Sequence, residues 1–165
     1  TSSTVSNVIK SFKEVEKVYK QGKEYYDKLK AVNNLVKDAR KVQQTVLLVG
    51  DVADLYVTNF GKMMNDPNFT PQELSAIANG YSILLNESTA LLKELKQIVS
   101  SSSLSLNDKE RMDIIDRVHK EVKDYYNLVR YYTNKNISVS YLRSKKKNAA
   151  QRVLSLYGTA EQKYW

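Results

Sequence analysis

The chain of 165 residues contains no cysteine, two prolines and five glycines. Without cysteine it has no disulfide framework, no thiolate nucleophile and no cysteine-based metal site. Pro67 and Pro71 lie close together, so the long stretches on either side of them lack the strongest helix breaker. These stretches predict helices. They leave little irregular backbone on which an active site could be built.

Two kinds of targeting segment are also missing from the sequence. No run of about 18 apolar residues is present, so we expect no membrane-spanning helix. The first residues, TSSTVSNVIK, lack the charged and apolar segments of a signal peptide. A cleaved or trimmed export signal would leave the same sequence, so the compartment stays open at this point.

The residues that usually carry catalysis are scarce. His119 is the one histidine, and no serine or cysteine nucleophile accompanies it at a recognisable spacing, although Asp116 and Lys123 occupy neighbouring helical positions. The glycines are isolated, so no phosphate-binding loop is present, and no His/Cys cluster could hold a metal. We therefore expect no enzyme, no cofactor and no metal site.

What the sequence does have is positive charge at its two ends. Residues 1–41 carry ten Lys/Arg against five Asp/Glu, residues 42–129 carry eight against twelve, and residues 130–165 carry eight against one. No acidic residue lies between Asp124 and Glu161. The C-terminal section is therefore the best candidate for contact with a polyanion or an acidic partner, and a solvated helix face is the alternative.

Apolar residues recur every three or four positions along most of the chain, which is typical of helices with coiled-coil character. We predict helices at residues 3–65, 70–99, 107–133 and 138–157. The first would bury positions such as Val42, Val46 and Phe60, and a kink is expected at Gly50-Asp51 or, as second choice, at Asn33-Asn34. The dense run VLLVG at 46–50 indicates burial on more than one side.

The starts of two helices carry capping signals. Thr70 is placed to cap the second helix, with Pro71 in the first turn and Glu73 completing a capping box. Asn107 and Glu110 form the same pattern at the third helix. The polar group Asn134-Lys135-Asn136 predicts a break before the fourth helix, and Gly158 is the expected stop.

The fold class is therefore all-α. We expect one domain, residues 1–165, built as an elongated helical bundle of three main helices, the first very long and kinked, with a shorter C-terminal helix.

Surface candidates cluster in the C-terminal third. Tyr131 points away from the predicted core stripe that contains Tyr132, and exposed tyrosine is enriched at protein interfaces. In the predicted fourth helix, Leu142, Ala149, Val153 and Leu156 share one face. Lys145 and Lys146 flank this face, and Arg143 and Lys147 project opposite. Because the cations surround the helix, we expect only weak, nonspecific contact with nucleic acid.

Several blocks of the sequence resemble a known family. They are FKEVEKVYKQGKEYYDKLK, DARKVQQT, NFTPQELSAIA, NDKERMD, YYTNKNISVSYLRSKKKN and VLSLYGTAEQKYW. In this order they resemble the transfer proteins labelled TraI of conjugative transposons, which are distinct from the relaxase of that label. The resemblance spans about residues 12–165. A more distant likeness, resting on operon position and helical architecture, is to the minor pilin of type IV secretion systems.

The resemblance implies an exported protein of a conjugative type IV secretion apparatus, periplasmic or at the cell surface after removal of a signal peptide. Its partners would be other subunits of the apparatus, and it would act as a structural or adhesive component through protein–protein contacts. The alternative is a basic DNA-binding accessory protein of the same process. The resemblance brings no catalytic or ligand residues, so the candidate partner surface consists of Tyr131, Arg143, Lys145, Lys146 and Lys147.

Overall fold

The described part of the chain is mainly helical. A computed structural model describes residues 36–100 and 107–158, together with residues 13, 17, 20 and 24, which are helical. Residues 36–100 and 107–158 form four helices and contain no strand: α1 (Val36–Met64), α2 (Pro71–Ser100), α3 (Asp108–Lys146) and α4 (Ala150–Tyr157). The prediction of an all-α fold is confirmed.

Two predictions about the first helix fall partly beyond this range. The stretch from residue 3 to 35, apart from the four helical positions, and the kink expected at Asn33-Asn34 lie outside the described residues. At the other expected kink, α1 is helical without interruption through Gly50 and Asp51. Its end at Met64 agrees with the predicted end at residue 65.

The three long helices pack against one another in every pairing, and α4 packs on α3 and α1. One apolar cluster lies at the end where α1 turns into α2, and includes Tyr56, Phe60, Tyr81 and Ile137. The second cluster joins the start of α1 to the end of α2 and the start of α3. The helices therefore alternate in direction, as short connections between packed helices require.

The apolar stripes read from the sequence are the ones that enter the core. Buried members include Val42, Val46 and Val49 of α1 and Val118 and Val122 of α3. In the dense run at 46–50, Val46, Val49 and Gly50 are buried and Leu48 packs against the second cluster, whereas Leu47 is exposed.

Both predicted capping boxes are present. The backbone N–H of Glu73 donates to Thr70 Oγ1 over 3.2 Å, and the Glu73 carboxylate accepts from the backbone N–H of Thr70 over 2.9 Å. Asn107 and Glu110 exchange the equivalent bonds over 2.8 and 3.0 Å. These side chains satisfy N–H groups that have no partner within the helix.

The break predicted at residues 134–136 is wrong, because α3 continues to Lys146. Thr133 and Ile137 are buried on either side of this polar group, and Asn136 bonds back to the carbonyl of Tyr132 over 2.9 Å. Core contacts thus outweigh the low helix propensity of asparagine. The break lies at 147–149, where Asn148 adopts a left-handed φ of 56°. Asparagine tolerates this conformation better than most residues.

The correction shortens the fourth helix to Ala150–Tyr157. Gly158 follows as its C-cap with a φ of 120°, and its N–H donates to the carbonyl of Leu154 over 2.9 Å, which confirms the predicted stop. Leu142 therefore belongs to α3, where it is exposed, and does not share an apolar face with Val153 of α4, which is buried. No helix in the described part of the chain is both long and apolar enough to cross a bilayer.

Candidate partner-binding surface

The five residues predicted as a partner surface are placed by the C-terminal half of α3. Tyr131 is 60% exposed, and Tyr132, one position on, is half-buried against the core. This outcome confirms the opposite orientations expected of the pair. Lys145 and Lys146 lie in the last turn of α3, and Lys147 is its C-cap; all three are exposed.

Arg143 is committed to contacts within the protein. Its guanidinium donates to both carboxylate oxygens of Glu73, over 2.6 and 2.8 Å, and to the carbonyl of Asn68 over 2.8 Å. The fork of the guanidinium matches the carboxylate in this bidentate geometry. Arg143 therefore ties α3 to the start of α2, and a partner that contacts it would meet a guanidinium already paired with Glu73.

The environment of Glu73 has a clear electrostatic consequence. Hydrogen bonds from Arg143 and from the backbone of Thr70 lower the pKa of Glu73 to about 2. The hydrogen bonds to Glu73 in turn raise the pKa of Arg143. One carboxylate thus serves at once as a capping group for α2 and as the counter-ion of α3, although both partners keep contact with water.

An exposed row of side chains follows α3 around Tyr131. Its members are Leu128, Tyr131, Lys135, Val139 and Leu142. The four apolar members are 40 to 60% exposed, and Lys135 is exposed as well. Reasoning from the sequence missed this row, because the break expected at 134–136 split it between two helices. The signal was present in the spacing of three, four, four and three residues.

A cleft of about 250 Å³ lies beside this row, between α3 and the first turns of α2. Its wall includes Phe69, Ile77, Tyr132 and Val139, so one member of the exposed row also lines the cleft. The Tyr132 hydroxyl donates to the carbonyl of Ile77 over 3.0 Å, which fixes one wall in place. Row and cleft together form an uneven, mainly apolar surface.

A buried carboxylate, that of Asp66, lies in the interior next to this region. Asp66 is 3% exposed, and its Oδ2 accepts from the hydroxyls of Ser140 and Tyr157 over 2.5 and 2.7 Å. Its Oδ1 accepts from the backbone N–H and the side-chain amide of Asn68 over 2.9 and 3.0 Å. Asp66 thus joins the α1–α2 turn to α3 and α4. Reasoning from the sequence did not identify Asp66.

The surroundings of His119 are those of a partly covered side chain on α3. Burial lowers the pKa of His119, with further lowering by Lys41 and Lys123 and an opposing effect of Asp116. The Asp116 carboxylate is paired with Lys41, whose Nζ lies 2.6 Å away. Within the described residues, no group of three or more His, Cys, Asp or Glu side chains is arranged to hold a metal ion.

The chain matches no protein-family model, no curated protein and no solved structure.

Proposed function

We propose that this chain is an exported structural or adhesive component of a conjugative type IV secretion apparatus, and that it acts through protein–protein contacts and not as an enzyme. The observation that carries the proposal is the exposed apolar row of α3 with its adjoining cleft. Contiguous apolar surface of this kind is typical of sites that bind other macromolecules. The resemblance to TraI-type transfer proteins supports the choice of apparatus.

The proposal includes a finer architecture and a location. The chain would form an elongated three-helix bundle whose first helix extends before Val36, with α4 packed on its side. A periplasmic or cell-surface location follows from the implied signal peptide. A bundle held by two apolar clusters suits a component that presents a surface.

The alternative is a basic DNA-binding accessory protein of the same transfer process. Lys145, Lys146 and Lys147 favour it, because they are exposed, adjacent and free of neighbouring acidic residues in sequence. Such a cluster attracts phosphate without reading bases. We rank it second because these cations lie at the end of one helix and form no stripe along a groove-sized surface.

Cell fractionation combined with cross-linking tests the proposal. Cells carrying the full-length gene within the transfer system should place the protein in the periplasm or at the surface, and cross-linking there should join it to other transfer subunits. Placement in the cytoplasm with cross-links to DNA would contradict the proposal and favour the alternative.

Replacing His119 by alanine should leave DNA transfer intact, because no serine or cysteine nucleophile accompanies this histidine at a recognisable spacing. Loss of transfer by a protein that still folds would instead indicate a catalytic role for His119.

A further inference from the structure

We propose that the exposed row of α3 binds an acidic amphipathic helix, with one carboxylate of that helix opposite Lys135. The inference rests on the proposed function, because it names the class of partner that the surface takes. The row is exposed at Leu128 (46%), Tyr131 (60%), Val139 (40%) and Leu142 (55%). Four large apolar side chains on one exposed helix face provide anchors for a facing helix.

The spacing of the row is that of a coiled-coil seam. Leu128, Lys135 and Leu142 are seven residues apart, with Tyr131 and Val139 between them. In heptad terms the first three occupy a positions and Tyr131 occupies a d position, whereas Val139 lies at an e position, since the second d position is that of Ser138, which is buried. A single polar or charged residue at an a position specifies register and oligomer state at some cost in stability. Lys135 therefore acts as the selecting residue of this seam.

The cleft beside the row gives the facing helix a place for one large apolar side chain. Val139 lines both features, and Phe69 and Ile77 supply apolar wall on the α2 side. Glu73 and Asn136 supply the polar part of the wall. Knobs that enter holes of this kind provide most of the packing energy between paired helices. The row and the cleft thus form one docking surface, in which the row protrudes and the cleft receives a side chain of the partner.

A second copy of the chain fits this surface poorly. Leu128 and Leu142 lie seven residues before and after Lys135, and Tyr131 and Val139 lie four residues before and after it. Self-pairing would therefore place Lys135 against Lys135 whether the two helices ran parallel in register or antiparallel about the centre. Two ammonium groups facing each other in an apolar seam repel, whereas a carboxylate there would pair with Lys135.

The charge around the row also calls for an acidic partner. Lys145 and Lys146 are exposed on α3 within a turn of Leu142, and no acidic residue occurs from 125 to 158, although Asp124 lies one turn before Leu128. The chain's own first 41 residues carry an excess of positive charge, so they complement this surface poorly. Insertion of the row into a bilayer would bury Lys135 without a counter-ion, which is costly. An acidic helix satisfies both the apolar anchors and the charges.

Two synthetic helical peptides of about three heptads test the proposal on the full chain. The first carries Leu at a and d positions, with Glu at the central a position and at e and g. Its twin carries Lys wherever the first has Glu. We expect the acidic peptide to bind, and the basic twin to bind at least about tenfold more weakly because like charges would meet. Lys135→Glu should reduce or reverse this preference. Equal binding of both peptides, or binding of neither, would overturn the inference.

Matched variants show whether binding uses this row. Leu128→Asn combined with Leu142→Asn should reduce the affinity for the acidic peptide by about tenfold or more, since both anchors are lost. Leu47→Asn on α1 and Ile83→Asn on α2 remove similarly exposed side chains elsewhere, and they should leave the affinity for the acidic peptide unchanged. A loss of affinity shared by the control variants would contradict the assignment.

Other occupants would give different results. Analytical sedimentation could instead show a dimer that the Leu128 and Leu142 substitutions dissociate. That result would mean that the row binds a second copy of the chain and not an acidic helix. Binding to vesicles of anionic phospholipid that depends on the same leucines would mean that the row binds a membrane surface and not an acidic helix. If the acidic peptide fails to bind while cross-links to transfer subunits persist in cells, the inference is wrong and the proposed function stands. If the peptide binds but the protein is cytoplasmic, the proposed function is wrong.

Discussion

At the scale of single residues, Asp66 is the side chain that joins most elements. It accepts four hydrogen bonds from the α1–α2 turn, α3 and α4 while almost fully buried. A buried carboxylate is tolerated when donors surround it, and each donor in turn depends on it. Asp66 therefore fixes the position of α4 and of the α3 segment that carries Val139 and Leu142.

We expect Asp66→Asn to destabilise the protein by about 2–3 kcal/mol, because hydrogen bonds to a charged acceptor are lost and buried donors lose their partner. Tyr157→Phe removes one of these bonds and should cost about 1–2 kcal/mol. Urea unfolding followed by circular dichroism measures both changes. Asp113→Asn, at an exposed position of α3, serves as the control. Equal stabilities of the Asp66 and Asp113 variants would show that the buried network contributes little.

Glu73 predicts a pH dependence. Its folded pKa of about 2 lies below the ordinary value of 4.5, so the carboxylate stabilises the fold above about pH 4.5. That contribution is lost as the pH falls from 4.5 through 2, where Glu73 becomes protonated in the folded state as well. Glu73→Gln should therefore lower the melting temperature at neutral pH, and the difference from the parent protein should shrink across this window.

Thermal melts at several pH values provide the measurement. Because the pair is partly exposed, added salt should also reduce the difference between the two proteins. A difference that stays constant down to pH 2 would mean that the Glu73 side chain acts through packing and not through its charge.

At the scale of helices, the contact of α2 with α3 depends on Gly80, a glycine that leaves room for the Tyr132 ring. A Cβ at Gly80 would lie 2.3 Å from the Tyr132 hydroxyl oxygen and 2.6 Å from the ring carbon that bears it. The Tyr132 ring also packs edge-on against Tyr81, with centroids 4.9 Å apart. Gly80 thus lets this tyrosine close the wall of the cleft.

Two glycine substitutions should have opposite effects on stability. Gly80→Ala should destabilise the protein by about 1–3 kcal/mol, since Tyr132 must move and give up its bond to Ile77. Gly61→Ala in α1 meets nothing within 4 Å, so it should stabilise by about 0.5–1 kcal/mol through helix propensity. Chemical denaturation of both variants measures the two shifts. Stabilisation by Gly80→Ala would mean that Tyr132 has room to turn aside at little cost.

At the scale of the whole molecule, charge is distributed unevenly. The chain has a formal net charge of +8, with the excess at its two ends. Within the basic C-terminal part, Arg143 is occupied by Glu73, whereas Lys145, Lys146 and Lys147 are exposed. The two proposed functions differ in what these lysines contact.

Duplex DNA binding at different salt concentrations separates the two functions. We expect only weak affinity, near 10⁻⁴–10⁻⁶ M at physiological salt, without sequence preference. Replacement of Lys145, Lys146 and Lys147 by glutamine should abolish it and flatten its salt dependence while leaving the fold intact. Arg143 should stay, because its loss would break the contact with α2. Submicromolar, sequence-selective binding at about 150 mM salt would favour the DNA-binding alternative.

Local signals in the sequence determined most of the helical architecture. Thr70 with Glu73 and Asn107 with Glu110 start their helices because capping is a contact between residues three positions apart. The stripes containing Val46 and Val118 reach the core because helical periodicity alone decides which residues share a face. These features need no knowledge of the rest of the chain.

Tertiary structure decided what local signals could not. Asn134 and Asn136 have low helix propensity, yet burial of Thr133 and Ile137 carries α3 through them. That continuity creates the exposed row from Leu128 to Leu142, which no separate helix would contain. The pairing of Arg143 with Glu73 joins residues 70 positions apart, and the network of Asp66 spans a similar distance in sequence. Such contacts depend on which helix faces which, and only the packed molecule determines that.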